Sequence, residues 1–298
     1  MTFEQLTIFV AVAEREHLTQ AAEAIHLTPS AVSSAIKNLE AYYRVELFNR
    51  VGRRIELTQI GKTFLVEARA TLARVHSAEL MLSELGGLQR GRLTLFASQT
   101  IASYWLPQVL MRFRRQYPGI DLDLTIGNTR TVSDAVIEGH AELGFVEGEL
   151  ASSALSSKVV AEDALVIVVA IDHPWASGRR LSPKELISGS KWVMREEGSG
   201  TRSEFENAME KMGCSRRDLQ IALALPSNEA VLSAITAGDC AAAISSAAAD
   251  LYLRQGSLAK VAFDLPVRQF RLLKHRERRA SKAAHALEAM CHSHMDAR

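Results

Sequence analysis

The sequence predicts a multidomain chain: an all-α winged helix-turn-helix with a long linker helix, followed by a two-lobed α/β domain. Three observations carry this. The first sixty residues hold three helical patterns in succession and then a turn crowded with arginines. Residues 58–88 contain no proline and sustain one apolar stripe at helical spacing. From Gly91 onward, apolar runs of strand length alternate with helical ones. At 298 residues the chain also exceeds the size at which a single core keeps growing, so several folding units are expected.

Composition narrows the class. With 47% hydrophobic and 23% charged residues and a mean hydropathy of 0.00, the chain can bury sizeable cores and does not match a disordered one. No apolar run approaches the roughly 20 residues of a membrane span. The opening stretch MTFEQLTIFVAVAEREHL carries acidic residues where an export signal carries basic ones, so a cytoplasmic protein without a membrane partner is expected. Cys214, Cys240 and Cys291 are few, odd in number and far apart, which suits reduced, buried thiols and neither a disulfide framework nor a C-x-x-C metal site. A net charge of +1 does not by itself select a nucleic-acid partner. Locally, however, Lys37, Arg44, Arg50, Arg53 and Arg54 stand against Glu40 and Glu46 alone.

Taken in order, Leu6, Phe9, Val10 and Ala13 mark an amphipathic helix over 3–15. Thr19 precedes a second, short helix whose apolar stripe is Ala21, Ala22 and Ile25. Pro29 pushes the residue before it out of helical space and suits the first turn of a third helix capped by Thr28. In that helix Val32, Ile36, Leu39 and Tyr43 face inward, leaving Ser30, Ser33, Ser34, Lys37 and Asn38 outward. A narrow face of hydroxyls and one cation is what a helix entering the DNA major groove requires. Residues 49–57 then form two short extended segments around Gly52, tipped by Arg53 and Arg54, a wing suited to phosphate or minor-groove contact.

These residues resemble a known family. Phe9-x-x-Val12, Leu18-x-x-Ala21-Ala22, Thr28-Pro29-Ser30-Ala31-Val32-Ser33, Ile36, Leu39-Glu40, Leu47-Phe48-x-Arg50 and Leu57-Thr58-x-x-Gly61 follow, in order and without gaps, the pattern of the LysR-type transcription regulators. The resemblance implies a winged helix-turn-helix DNA-binding domain over 1–58, with Ser33 and Lys37 in the groove and Arg53 and Arg54 on the wing. Ser30 and Ser34 serve either in the groove or as solvated and capping groups.

The stripe Ile60, Phe64, Ala68, Leu72, Val75 and Leu82 predicts a linker helix of about 30 residues, roughly 45 Å long. It must bury that stripe, either against the antiparallel copy of a second subunit or back on its own domain. The first choice gives a homodimer on a partly palindromic promoter site in double-stranded DNA. The resemblance further implies tetramers. Gly86-Gly87 ends the helix, and 59–90 is expected to act as dimerisation helix and hinge.

Strands are expected at 93–97, 120–126, 143–146, 165–171, 191–194, 222–225 and 269–274. Helices are expected at 101–117, 131–138, 201–212, 228–237 and 281–292. Lobe one is placed at 91–162 and 267–298, and lobe two at 163–266. Two lobes joined by crossing strands resemble the periplasmic-binding-protein-like effector domain of the family. Ligands of such sheets sit beyond the carboxyl ends of the strands. That rule selects Ser98 and Thr100 after the first strand, Thr129 after the second, Glu147 after the third, Ser199, Gly200, Thr201 and Arg202 before the helix of lobe two, and Asn228 at the next helix. The Gly198–Arg202 run combines close backbone approach, hydroxyls, a cation and a helix N-terminus, so a small anionic effector is expected; an ordinary capped turn with a solvated arginine is the alternative. Within the family this run resembles the subgroup controlling sulfur assimilation and carbon fixation, which implies a small carboxylate, a phosphorylated metabolite or an inorganic oxyanion.

An α/β enzyme with an accessory DNA-binding domain would use Ser199 or Cys240 as nucleophile and His173 or Glu147 as base, but no nucleophile elbow, Walker loop or dinucleotide fingerprint is present. His285, Cys291, His292 and His294 suggest a metal cluster only on paper, because residues from 291 on are expected beyond the last ordered turn. Met209, Met212 and Ala241–Ala249 are expected in core and helix packing. No catalytic residue, metal or cofactor is expected.

Overall fold

The computed structural model describes residues 1–51, 54–85, 91–148 and 152–295. They divide into two compact units, Met1–Leu82 and Ser83–Arg298.

In the first unit, α1 (Phe3–Arg15), α2 (Leu18–Ala24) and α3 (Pro29–Tyr43) pack around Phe9, Val12, Ala21, Ala22 and Val32, none of which has measurable exposure. The two alanines let the backbones of the short helices approach closely. Thr28 caps α3 by accepting from the Ala31 N–H, with Pro29 in the first turn. The cap of α2 is His17, whose ring accepts from the Gln20 N–H, and not Thr19. The hairpin β1 (Phe48–Val51) and β2 (Arg54–Leu57) is antiparallel. It is moored to α3 by Glu40, whose Oε1 accepts from the Leu47 and Phe48 N–H groups at 2.8 and 3.2 Å.

Helix α4 (Gln59–Leu85) starts against this hairpin: a β-carbon at Gly61 would collide with the Leu47 carbonyl oxygen, so glycine is required there. Its stripe is not reserved for a partner. Phe64, Leu65, Ala68 and Leu72 pack into the helix-turn-helix core, with the Phe64 ring 4.7 Å from Phe9, and Arg69 pairs with Glu14 of α1. The first turns of α4 therefore fold back on their own domain, while Ile60 and Val66 stay exposed. Tyr43, expected inside, is half exposed, because α3 ends there in the left-handed Arg44. Gly86-Gly87, Arg53 and the side chain of Leu82 lie outside the described residues.

In the second unit, β3 (Gly91–Ser98) leads into α5 (Gln99–Tyr104) and α6 (Leu106–Gln116). The single helix expected there breaks at Trp105, which is buried against Phe145 and Phe270. There follow β4 (Ile120–Gly127), α7 (Thr129–Glu138), β5 (Leu143–Glu147) and the long β6 (Leu155–Ala170). Lobe two adds α8 (Pro183–Ser188), β7 (Trp192–Arg195), α9 (Gly200–Lys211), β8 (Ile221–Leu225), α10 (Asn228–Ala237), β9 (Ala241–Ser245), α11 (Ser246–Arg254) and β10 (Leu258–Lys260). The chain returns through β11 (Val267–His275) and closes with α12 (Lys282–Met295).

Strands β4, β3 and β5 run parallel, and β11 joins them antiparallel. Strand β6 belongs to both lobes: it pairs with β11 as far as Ala164 and with β9 from Leu165 onward. Beyond it lie β7 and β8, parallel to β9, while β10 pairs along the end of β6. The stretch Ala241–Ala249 packs in the core as expected, but only its second part, from Ser246 in α11, is helical; Ala241–Ser245 form strand β9. All five of its residues are buried, so it shows none of the alternation by which a half-exposed strand is recognised. Met209 is buried as expected, but Met212 lies past the end of α9 and is 37% exposed. Nor is residue 291 the start of a loose tail: α12 runs on, and Cys291 is fully buried in the core of lobe one, where burial pushes its thiol pKa up to about 12.

Helix α12 is fastened by a carboxylate. Glu288 accepts from Lys158 of β6, and from Lys274 of β11 at 2.8 Å. Burial alone would raise its pKa, yet these bonds hold it below the usual carboxylate range. A group with a depressed native pKa contributes stability above its unfolded pKa and loses that contribution as pH falls through the native one. Glu288→Gln is therefore expected to cost about 1–3 kcal/mol near neutral pH and to flatten the acid limb of the stability profile, measured by urea unfolding at a series of pH values.

Candidate functional site

The nucleic-acid face lies in the first unit. Ser30, Ser34, Lys37 and Asn38 are exposed on α3 and Ser33 is partly so. The Ser30 hydroxyl lies 3.1 Å from Thr28 Oγ1 and so takes part in the helix cap. Lys37 makes no ion pair among the described residues, which leaves its charge available to a phosphate. Arg54 opens β2, while Arg53 is outside the described residues.

The second site lies between the lobes. Strand β3 runs between β4 and β5, and Thr129, just past β4, and Glu147, the last residue of β5, both reach Gly200 at the start of α9. A β-carbon at Gly200 would stand 2.5 Å from Thr129 Oγ1 and 2.9 Å from Glu147 Oε2, so glycine permits the contact. Gly198, with φ of 89°, offers its carbonyl to the Arg130 N–H across the same gap. The end of the central strand, Ser98, therefore opens toward the N-terminus of α9.

Hydroxyl-bearing residues lie on the segments that border this gap. Ser98, Thr100, Ser199 and Thr201 are each no more than 2% exposed. Ser98 and Ser199 occupy cap positions of α5 and α9, yet neither makes a side-chain cap bond. Ser98 Oγ has no partner among the described residues. Thr100 Oγ1 accepts from Asn228 Nδ2 at 3.1 Å, and Thr201 Oγ1 from Arg268 Nη1 at 2.8 Å. Thr129 Oγ1 donates to Glu147 Oε2 at 3.3 Å.

The cations are arranged differently from the expectation. Arg202 pairs with Glu206 on its own helix at 2.7 Å, so its charge is balanced locally. Two buried arginines stand closer to the hydroxyls. Arg195 bonds Asn228 Oδ1 at 2.8 Å, Gln99 Oε1 at 3.1 Å and the Glu196 carboxylate. Arg268 pairs with Asp163, whose other oxygen accepts from Ser245 at 2.9 Å. On one flank the lobes are latched: Gln99 Oε1 accepts from the Asn228 N–H at 2.7 Å, and Gln99 Nε2 and Tyr104 both donate to Glu229. Burial, then the Glu229 carboxylate, push the Tyr104 pKa up to about 12. Burial would raise Glu229 too, but bonds from its own N–H, Gln99, Tyr104 and Ser227 hold it low, so the latch is charged at neutral pH.

The structure thus brings Thr129, Glu147 and Gly200 together across the gap, with Ser98 and Thr100 at and past the end of β3 and Ser199 and Thr201 on either side of Gly200 in the chain. It sets Asn228, fully buried, behind Thr100, and it turns Arg202 to Glu206. Arg195 stood within reach of the sequence, being the residue just beyond the strand expected at 191–194. Arg268 and Asp163 gave no local signal, since charges within strands normally mark a solvent face.

The His173 ring accepts from the Trp175 N–H and contacts Ser190, so it is not paired with Ser199. Burial, then Asp239, raise the Cys240 thiol pKa, the reverse of what a nucleophile needs. Among the described residues no group of His, Cys, Asp or Glu could hold a metal ion, and no helix is long and apolar enough to cross a membrane.

Comparison with known proteins places both sites in context. Residues 3–62 match the family described as "Bacterial regulatory helix-turn-helix protein, lysR family", and residues 86–296 match "LysR substrate binding domain". The chain is 32% identical over 285 residues to the uncharacterized HTH-type transcriptional regulator YeiE of Escherichia coli K12, covering 95% of this chain and 94% of that one. Full-length CbnR, in a crystal structure with its target DNA, aligns over 100% of this chain and 99% of its own with a TM-score of 0.68 and 20% identity. The regulatory domain of Synechocystis PCC6803 CcmR, in complex with 2-PG, aligns over 69% of this chain and 98% of its own with a TM-score of 0.63 and 23% identity.

Proposed function

This chain belongs to the LysR family of DNA-binding transcription regulators, which are not enzymes, and on that premise we propose that a small oxyanion held between its two lobes is the signal it reads. One observation carries the proposal: Ser98, Thr100, Ser199 and Thr201 are nearly fully buried on the segments that border the gap between the lobes, and Ser98 Oγ has no partner at all among the described residues. A buried hydroxyl without a partner costs about 1–3 kcal/mol, and the N-terminus of α9, uncapped by its own serine, favours negative charge beside it. An acceptor with several lone pairs satisfies all of these groups at once. CcmR, whose regulatory domain has the same fold, was solved with 2-PG bound, which supports a small ligand for such a domain.

On the DNA side, Ser33 and Lys37 enter the major groove, with Ser30 and Ser34 at its edge, and Arg53 and Arg54 reach the backbone from the wing. CbnR was solved on its target DNA, which supports the same partner here. A second copy supplies the twofold that a partly palindromic promoter site requires. Exposed Met1, Ile60 and Val66 around the start of α4 support a dimer formed through that region, and pairs of dimers complete a tetramer. The DNA partner supports a cytoplasmic location. Binding energy that differs between two arrangements of the lobes is what couples the oxyanion to the DNA.

Two tests follow. Thermal melting of the full chain with sulfate, phosphate, sugar phosphates and small carboxylates, at constant ionic strength, is expected to show stabilisation by at least one anion. Ser98→Ala should melt at or above the wild-type temperature without anion, because it removes a stranded hydroxyl, and lose most of that stabilisation; an undiminished response would remove Ser98 from the site. Replacing Arg53 and Arg54 together with alanine should weaken binding to a promoter fragment and lower the slope of log affinity against log salt by up to about 2; an unchanged slope would take the wing off the phosphates.

A further inference from the structure

Resting on the oxyanion reading, we infer that the site prefers an oxyanion that carries its own proton, such as hydrogen phosphate, over one that carries none, such as sulfate, and that Glu147 is the residue that sets this specificity. Glu147 ends β5 and is 3% exposed. Its Oε2 accepts from Thr129 Oγ1 at 3.3 Å, while Oε1 has no partner among the described residues. Unlike Ser98 Oγ, that oxygen is not closed off from the surface.

The neighbouring cations do not answer it. Arg195 is matched by Glu196, Arg202 by Glu206 and Arg268 by Asp163, at 2.9, 2.7 and 2.7 Å. Glu147 is the carboxylate at this gap left without a cation among the described residues. A carboxylate only accepts, and its two oxygens offer about four lone-pair positions, so one long bond from a threonine leaves most of that capacity unused.

Its position gives this a consequence for the ligand. A β-carbon at Gly200 would stand 2.9 Å from both Cβ and Oε2 of Glu147, so the side chain lies against the first residue of α9. An oxyanion drawn to the N–H groups of that first turn lies beside a carboxylate. Two bare acceptors repel each other. An anion that keeps a proton joins them instead: its O–H donates to Glu147 Oε1 while its other oxygens accept from the helix. A site with an unmet acceptor discriminates against the ligand that lacks the donor, here by about tenfold or more in affinity.

The test is titration calorimetry on the full chain in mildly alkaline buffer at constant ionic strength. The probes are inorganic phosphate, sulfate and monofluorophosphate, tetrahedral dianions of similar size of which only hydrogen phosphate carries a proton. Wild type is expected to bind phosphate about tenfold or more tighter than either proton-free dianion, with sulfate a weaker ligand of the same place. Glu147→Gln keeps the shape of the side chain; its amide oxygen takes the Thr129 proton and its NH2 stands where Oε1 stood, so the acceptor becomes a donor. Sulfate affinity should rise, and the phosphate-to-sulfate ratio should fall about tenfold. Removal of a charge with no other consequence would strengthen all three anions alike and keep the ratio. The comparison with monofluorophosphate needs only wild type, so it decides the matter if the glutamine variant does not fold. Equal binding of the three anions by wild type, or a ratio unmoved in folded Glu147→Gln, overturns the inference and leaves the oxyanion site standing. Binding of none of the three, where a carboxylate still stabilises the chain, does the same; if no carboxylate binds either, the oxyanion reading falls with it.

Discussion

The second unit is organised around a charge pair buried where its two lobes join. Asp163 and Arg268 face each other on the crossing strands β6 and β11, their side chains 5% and 1% exposed, at 2.7 Å. Removing two charges from water costs several kcal/mol each, so such a pair survives only when further bonds satisfy what remains. Ser245 takes one Asp163 oxygen, and Thr201 takes one arm of Arg268. The guanidinium also lies over the Phe270 ring, 5.8 Å from its centre. Because Thr201 belongs to the first turn of α9, the crossing strands and this helix share one hydrogen-bond network.

From that junction the cleft follows by geometry. Strands β3, β4 and β5 end together, and glycine at 200 lets α9 come down on them until Thr129 and Glu147 touch its backbone. The Gln99–Glu229 latch closes the flank formed by α5 and α10. Arg195 and Arg268 are bonded to Asn228 and Thr201, so both cations are tied into side-chain networks.

Much of this was legible in the sequence, and the exceptions are instructive. The helix-turn-helix could be read because proline, caps and apolar spacing act locally, and Thr28-Pro29 marks the start of α3 to the residue. The cleft hydroxyls could be read because residues past strand ends are where α/β sheets bind ligands. Strand β9 could not, since burial on both faces erases alternation and a run of alanines suits helix and strand alike. The stripe on α4 suggested a partner helix, but periodicity states only that a face is buried, not by what; Phe64 and Ala68 turned out to be covered by their own domain. Asp163 and Arg268 lie 105 positions apart. Their pairing is a property of the tertiary fold, and nothing near either residue announces it.

The claim on which the account rests is the location of the oxyanion. Selenate has the shape and charge of sulfate and scatters anomalously, so crystals of the full chain grown with selenate in place of sulfate would locate it directly. An anomalous peak is expected within hydrogen-bond reach of the Ser98 hydroxyl, beside the N-terminus of α9. Peaks confined to surface arginines and lysines, with the cleft holding only water, would contradict it.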